Sequence, residues 1–164
     1  MVLPSFVRQA IADAPLTVHG DGSQTRSFTW VGDVVNALTS LMQDARAAGQ
    51  IFNVGNDTEV SILDLALRVR AAAGSDSQIE FVPYKHAYDA DFEDMPRRVP
   101  DISKLRNLIG YQPRVALPEI IERTLRYWRE QPGAETRRVV PVIPRRQPIL
   151  PASAANERKV GVMA

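Results

Sequence analysis

Apolar residues along the first 130 positions fall into short blocks that switch between helical and strand spacing. Phe6, Val7, Ala10 and Ile11 recur at helical intervals and predict an amphipathic helix over about 4–13, with Pro4 in its first turn. "LTVH" (16–19) reads as a short strand, Asp21-Gly22 as a turn, and "RSFTWV" (26–31) as a second strand. Val34, Val35, Leu38, Leu41 and Met42 form one apolar stripe on a helix over about 32–45. "QIFNVGN" (50–56) predicts a short buried strand stopped at Gly55.

Ser61 and Asp64 have the spacing of a capping box ahead of a helix whose apolar positions are Ile62, Leu65, Ala66 and Val69 and which Gly74 ends. "IEFVP" (79–83) is another strand, and 84–100 is loop-like and dense in charge. Asp101 sets up a short helix closed by Gly110, and Pro118 opens a last helix carrying Ile120, Ile121, Leu125 and Trp128. Strands and helices thus alternate without an internal repeat, the signature of a mixed α/β unit.

From about Gly133 the periodicity stops. Residues 133–164 carry four prolines and six Arg or Lys against two Glu, a charge of +4 that leaves −3 on 1–132, so the slight basicity of the chain belongs to this stretch. We expect one domain over 1–132 and a disordered Pro/Arg-rich tail over 133–164. The near-neutral balance argues against nucleic-acid binding through bulk charge. With no cysteine in the chain, disulfides, thiolate metal sites and a cysteine nucleophile are excluded. No apolar run has the length of a membrane span and no signal-peptide pattern opens the chain, so a cytoplasmic location is the expectation.

Three stretches could carry chemistry. Arg26 follows a glycine-containing turn and starts a strand, which fixes its backbone while its planar fork can grip a phosphate with two parallel hydrogen bonds. In "RRVPD" (97–101), Pro100 biases Val99 toward an extended form and holds an arginine beside a rigid turn. In "FNVGN" (52–56), Gly55 permits close backbone approach and Asn53 offers an amide. A surface arginine, a solvated basic pair and ordinary turn punctuation are the plainer accounts of each stretch alone. His19 and His86 have no partner at metal-ligand spacing, Asp91, Glu93 and Asp94 read as an acidic loop, and no serine sits in a Gly-x-Ser-x-Gly elbow.

Taken in order, "MVLPSFVRQA", "PLTVHGDGSQTRSFTWVGDVVNAL", "GQIFNVGNDTEVSILDLA" and "FEDMPRRVPDISKLRNLIGYQPRVALPEIIERTLRYW" resemble the C-terminal half of the NAD-dependent nucleotide-sugar epimerase/dehydratase family. This is the extended short-chain dehydrogenase/reductase group, which includes UDP-glucose 4-epimerase, UDP-glucuronate decarboxylase and dTDP-glucose 4,6-dehydratase. The resemblance covers about residues 1–131. It implies an α/β fold, the substrate-binding portion of an extended Rossmann-type epimerase without its N-terminal dinucleotide-binding half.

The resemblance also implies site roles. The arginine of the family's Gly-x-Gly-x-Gln-x-Arg loop, which contacts the diphosphate of the nucleotide sugar, falls on Arg26. That of Arg-x-Pro-Asp falls on Arg98, and the asparagine near the nucleotide falls on Asn53. The strand that packs on base and ribose implicates Thr17 and His19. Trp30 and Gly32 depart from the family's usual Tyr or His and acidic residue, whereas Asp33 matches.

The family's Gly-rich NAD turn has no counterpart in these 164 residues. Its catalytic Tyr-x-x-x-Lys pair is absent too: four positions after Tyr84, Tyr88, Tyr111 and Tyr127 stand Tyr88, Phe92, Val115 and Gln131. We therefore expect no catalytic residue, metal site or NAD binding in this chain alone. NAD is implied for the complete enzyme, and a UDP-sugar is the expected ligand. A missing N-terminal half or a full-length homologue is the expected partner, of a truncated or split enzyme. A stand-alone sugar-nucleotide binding or regulatory module and a nonfunctional gene remnant are the alternatives.

Overall fold

The computed structural model describes residues 1–83 and 95–131. His86, the acidic group at 91–94 and the tail expected over 133–164 lie outside the described residues. The element order is α1 (Val2–Ile11), β1 (Leu16–His19), β2 (Thr25–Ser27), α2 (Val31–Gln43), a 3-10 turn (Ala45–Ala47), β3 (Glu59–Ser61), α3 (Ile62–Ala73), β4 (Ile79–Val82), β5 (Arg97–Arg98), α4 (Ser103–Ile109) and α5 (Leu117–Arg129).

The strands form two small sheets. β1 and β4 pair in parallel, Leu16 opposite Ile79 through His19 opposite Val82. β2 is the centre of the other sheet, antiparallel to β3 and parallel to β5. The main core lies between α1, α3 and α5 and the buried face of β1: Phe6, Val7, Leu16, Val18, Leu65, Val69 and Ile121 are essentially inaccessible. A second cluster joins Ala37 of α2 to Ile102, Leu105 and Tyr111.

The helix ends follow the sequence signals. The Ser61 hydroxyl accepts the Asp64 amide (3.0 Å), and α3 and α4 both stop on glycines in the left-handed region, Gly74 (φ 65°) and Gly110 (φ 67°). Asp101 accepts the Ser103 amide at the start of α4 (2.9 Å).

Three expectations are corrected. The strand expected over 26–31 ends at Ser27, because the chain enters α2 at Val31. Residues 50–56 form no strand, since no described strand pairs with them, and they are buried only in part: Ile51 is 87% exposed, Phe52 and Val54 pack half-buried on the second cluster, and Gly55 and Asn56 are buried. A strand exists only where a neighbour takes its backbone hydrogen bonds, which an apolar run cannot reveal. The apolar stripe of α2 is also only partly covered: Val35, Leu38 and Met42 are exposed, as is Val31, whereas Val34 and Leu41 are half-buried, Leu41 against the second cluster, and the fully buried positions are Asp33 and Ala37. The Asp33 carboxylate holds this side inward by accepting the amides of Arg114 (3.1 Å) and Val115 (3.2 Å), and small Ala37 lets the second cluster pack close.

Candidate functional site

The glycine turn between β1 and β2 is set by close packing. Gly22 has φ 75°, and a Cβ there would stand 2.9 Å from both Leu63 Cβ and Val18 Cγ1. A side chain is therefore excluded by backbone and by space. Asp21 completes the turn by accepting the Ser23 amide (2.9 Å) and hydroxyl (2.7 Å), hydrogen bonds that hold its carboxyl below the usual range. Gln24 donates to the His19 carbonyl (2.9 Å), closing the turn over the end of β1.

β2 leaves this turn and places Arg26 at the register position of Arg98 on β5. Residues in register on adjacent strands share a face of the sheet. Both arginines line one cavity of about 700 Å³, with His19, Gln24, Phe28 and Pro100 among its other walls. That volume is within the range of small-molecule sites. Arg26 Nη1 also donates to the carbonyls of Thr25 (2.7 Å) and Met95 (2.8 Å), so its guanidinium anchors the segment that leads into β5.

Strand alternation sends Arg97 to the opposite face. Its guanidinium pairs with Glu59, whose other carboxylate oxygen accepts the Thr25 hydroxyl (2.9 Å). The Arg97 hydrogen bond is the largest cause holding the Glu59 carboxyl below its ordinary value, followed by that from Thr25, and Arg97 is raised in turn. Among the described residues no carboxylate pairs with Arg98. Of the two adjacent arginines, the structure thus commits Arg97 to the sheet and turns Arg98 to the cavity.

The other sequence candidates separate. His19 lines the cavity, but Thr17, on the same side of β1, is clasped by Gln9: Nε2 donates to its hydroxyl (2.9 Å) and Oε1 accepts its amide (3.3 Å). Asn53 does not line the cavity; its amide donates to the Asp101 carbonyl (3.1 Å). The three motifs nevertheless meet. Gly55 abuts Pro100, Asn53 ties to Asp101, the Tyr111 hydroxyl donates to the Gly55 carbonyl (3.0 Å), and β2 pairs with β5. Sequence reasoning missed Gln9 and Glu59, because a lone glutamine or glutamate carries no local signal, and gave Gln24 of the Gly-x-Gly-x-Gln-x-Arg loop no role.

A second groove, about 660 Å³, lies between α2 and residues 109–114. Its acidic group, Asp33, is spent on two backbone amides. No His, Asp or Glu group of the described residues is arranged to hold a metal ion, and no helix is long and apolar enough to cross a membrane.

Two guanidinium groups side by side over a cavity have the chemistry to donate hydrogen bonds to the oxygens of a multiply charged anion. The model of the GDP-mannose 4,6-dehydratase family matches residues 2–124. The UDP-N-acetyl-alpha-D-glucosaminuronate decarboxylase of Bacillus cytotoxicus is 37% identical over 129 residues, 79% of this chain and 40% of that protein. The UDP-glucuronic acid decarboxylase 4 of Arabidopsis thaliana is 43% identical over 117 residues, 71% of this chain and 24% of that protein.

Among solved structures, an epimerase from Methanothermobacter thermautotrophicus superposes with a TM-score of 0.72 at 31% identity, over 79% of this chain and 37% of that one. The UDP-glucuronic acid 4-epimerase of Bacillus cereus, in complex with UDP-glucuronic acid and NAD, gives 0.68 at 27% identity, over 77% of this chain and 39% of that one. The chain thus spans at most about two fifths of these relatives.

Proposed function

Because the chain belongs to the NAD-dependent nucleotide-sugar epimerase and dehydratase family, we propose that residues 1–132 are the part of such an enzyme that holds the diphosphate of a nucleotide sugar, a UDP-sugar foremost. The observation that carries this reading is the in-register pair Arg26 and Arg98 on one cavity wall. Two planar forks offset the charge of a diphosphate and fix its direction. His19 faces the nucleoside side of the same cavity, Thr17 sets the strand under it through Gln9, and Asn53 steadies Arg-x-Pro-Asp through Asp101.

The residues present do not fit NAD. A dinucleotide pyrophosphate needs a Gly-rich turn and an open helix N-terminus. Among the described residues no Gly-rich turn leads from a strand into a helix: the turn that carries Gly20 and Gly22 joins β1 to β2. NAD, which in the complete family enzyme supplies oxidation of the sugar and return of the hydride, is assigned to no residue of this chain and falls to a partner. The unpaired segment 51–54 and the exposed apolar stripe of α2 support a partner there, a dinucleotide-binding half or a full-length homologue. This chain binds and orients; it does not itself transfer hydride.

The test is calorimetry of the chain with UDP and, separately, with NAD, repeated on Arg26→Ala. We expect UDP to bind, NAD not to bind, and the variant to lose UDP affinity. Unchanged UDP affinity in Arg26→Ala overturns the assignment.

A further inference from the structure

Arg26 and Arg98 occupy partnered register positions on the parallel strands β2 and β5. The strand that carries Arg98 is only two residues long. Its attachment to β2 therefore depends on ties other than its own length. One is the Thr25 amide, which donates to the Pro96 carbonyl (2.8 Å), and another is the Arg26 guanidinium on the Met95 carbonyl (2.8 Å). The remaining tie is on the opposite face. There Glu59 of β3 accepts from Thr25 of β2 with one carboxylate oxygen and from Arg97 of β5 with the other, so a single side chain spans all three strands.

We propose that Glu59, clipping Thr25 and Arg97 on the outer face of the sheet, is the positioning residue that holds Arg98 beside Arg26 in readiness for the anion. This inference rests on the diphosphate reading above. Glu59 touches no ligand; its carboxylate ties β5 to β2 and β3 from the face opposite the cavity. Without it β5 separates more readily, and a ligand must draw the strand back before both arginines can bind it. Apparent affinity then falls by the fraction of molecules with β5 in place. A diphosphate bridging Arg26 and Arg98 also draws β5 to β2 from the cavity side, so clip and ligand act on β5 in the same direction.

The experiment uses the full chain with UDP and inorganic pyrophosphate as probes. Glu59→Gln is expected to weaken both roughly tenfold, the scale on which supporting partners of a binding group act. It should lower the thermal midpoint only by as much as loss of a largely exposed ion pair does, and speed hydrogen exchange at the Thr25 amide. The reversed pair, Glu59→Arg with Arg97→Glu, is expected to restore affinity to within about threefold, a smaller change than loss of one charged hydrogen bond causes. Arg97→Glu alone should not.

Full affinity in Glu59→Gln, unaltered exchange at Thr25, or failure of the reversed pair overturns the positioning role. A site that responds to Arg26→Ala but to none of the clip variants overturns this inference and leaves the proposed function standing. Absence of UDP binding by the parent chain overturns both.

Discussion

Gly55 and Pro100 are in contact so close that a Cβ on the glycine would lie 2.8 Å from the proline Cγ. One residue stops the segment after α2 and the other rigidifies the turn after β5, so this contact joins two motifs that are over 40 positions apart in sequence. Gly55→Ala must push Pro100 outward and shift Val99 and Arg98 with it. We expect a loss of about 1–3 kcal/mol, the usual penalty for overpacking, together with weaker UDP binding. Urea melts and a UDP titration of the same variant measure the two effects.

Arg98 faces the cavity and no described carboxylate compensates it, so its removal should cost binding without costing stability. Arg98→Ala is expected to lower UDP affinity tenfold or more, given about 1.5–3 kcal/mol for hydrogen bonds to a charged group. Arg106, paired with Asp57 (2.8 Å) away from the cavity walls, is the control. Arg106→Ala should leave UDP affinity unchanged in the same titration.

The exposed side of α2 predicts self-association of the isolated chain. Val35 and Leu38 are 54% and 49% exposed, and the stripe they belong to is continuous with Val31 and Met42. Val35→Glu with Leu38→Glu should make the chain more monodisperse in sedimentation, with a stability change within about 0.5 kcal/mol for each site. Ala37→Glu, one position away and buried, should unfold the chain instead.

Asp33→Asn removes a charged acceptor shared by the amides of Arg114 and Val115. The expected loss is about 1–3 kcal/mol, seen as a lower urea midpoint. Tyr111 supplies a second readout. Burial first, and the Asp33 charge second, raise its phenol above the ordinary value. Ultraviolet titration should therefore show Tyr111 ionising at lower pH in the variant than in the parent.

Acid should weaken the fold through Glu59 and Asp57. Hydrogen bonds from Arg97 and then Thr25 depress Glu59, and one from Arg106 depresses Asp57. A carboxyl depressed in the folded state adds stability that is present above its unfolded value and is lost as pH falls through its folded value. Thermal midpoints should thus hold at neutral pH and decline through and below the ordinary carboxylate range. Midpoints for Glu59→Gln with Asp57→Asn should fall less steeply over that interval.

Much of this was written in local signals. Ser61, Gly74 and Gly110 mark helix ends by their own chemistry, and Phe6, Val7 and Ala10 mark a buried face by spacing. The arginine motifs were legible in order, and the structure brings them together through β2 and β5. The orientation of α2 was not. Periodicity shows that one side of a helix is apolar but not whether this chain covers it, and here Asp33 and Ala37 take the inside. Nor could the sequence show that residues 51–54 lack a pairing strand, or that Glu59 reaches across three strands. Both depend on which distant segments become neighbours.

β4 and β5 follow one another along the chain yet belong to different sheets, β4 beside β1 and β5 beside β2. The register of Arg98 with Arg26 is thus set within its own sheet and not by the length of the connection after Val82. Doubling the length of a flexible connection adds only about 0.6 kcal/mol of closure cost. The pairing of the two arginines is therefore a property of β2 and β5 themselves, a charge geometry carried by the ladder between two short strands.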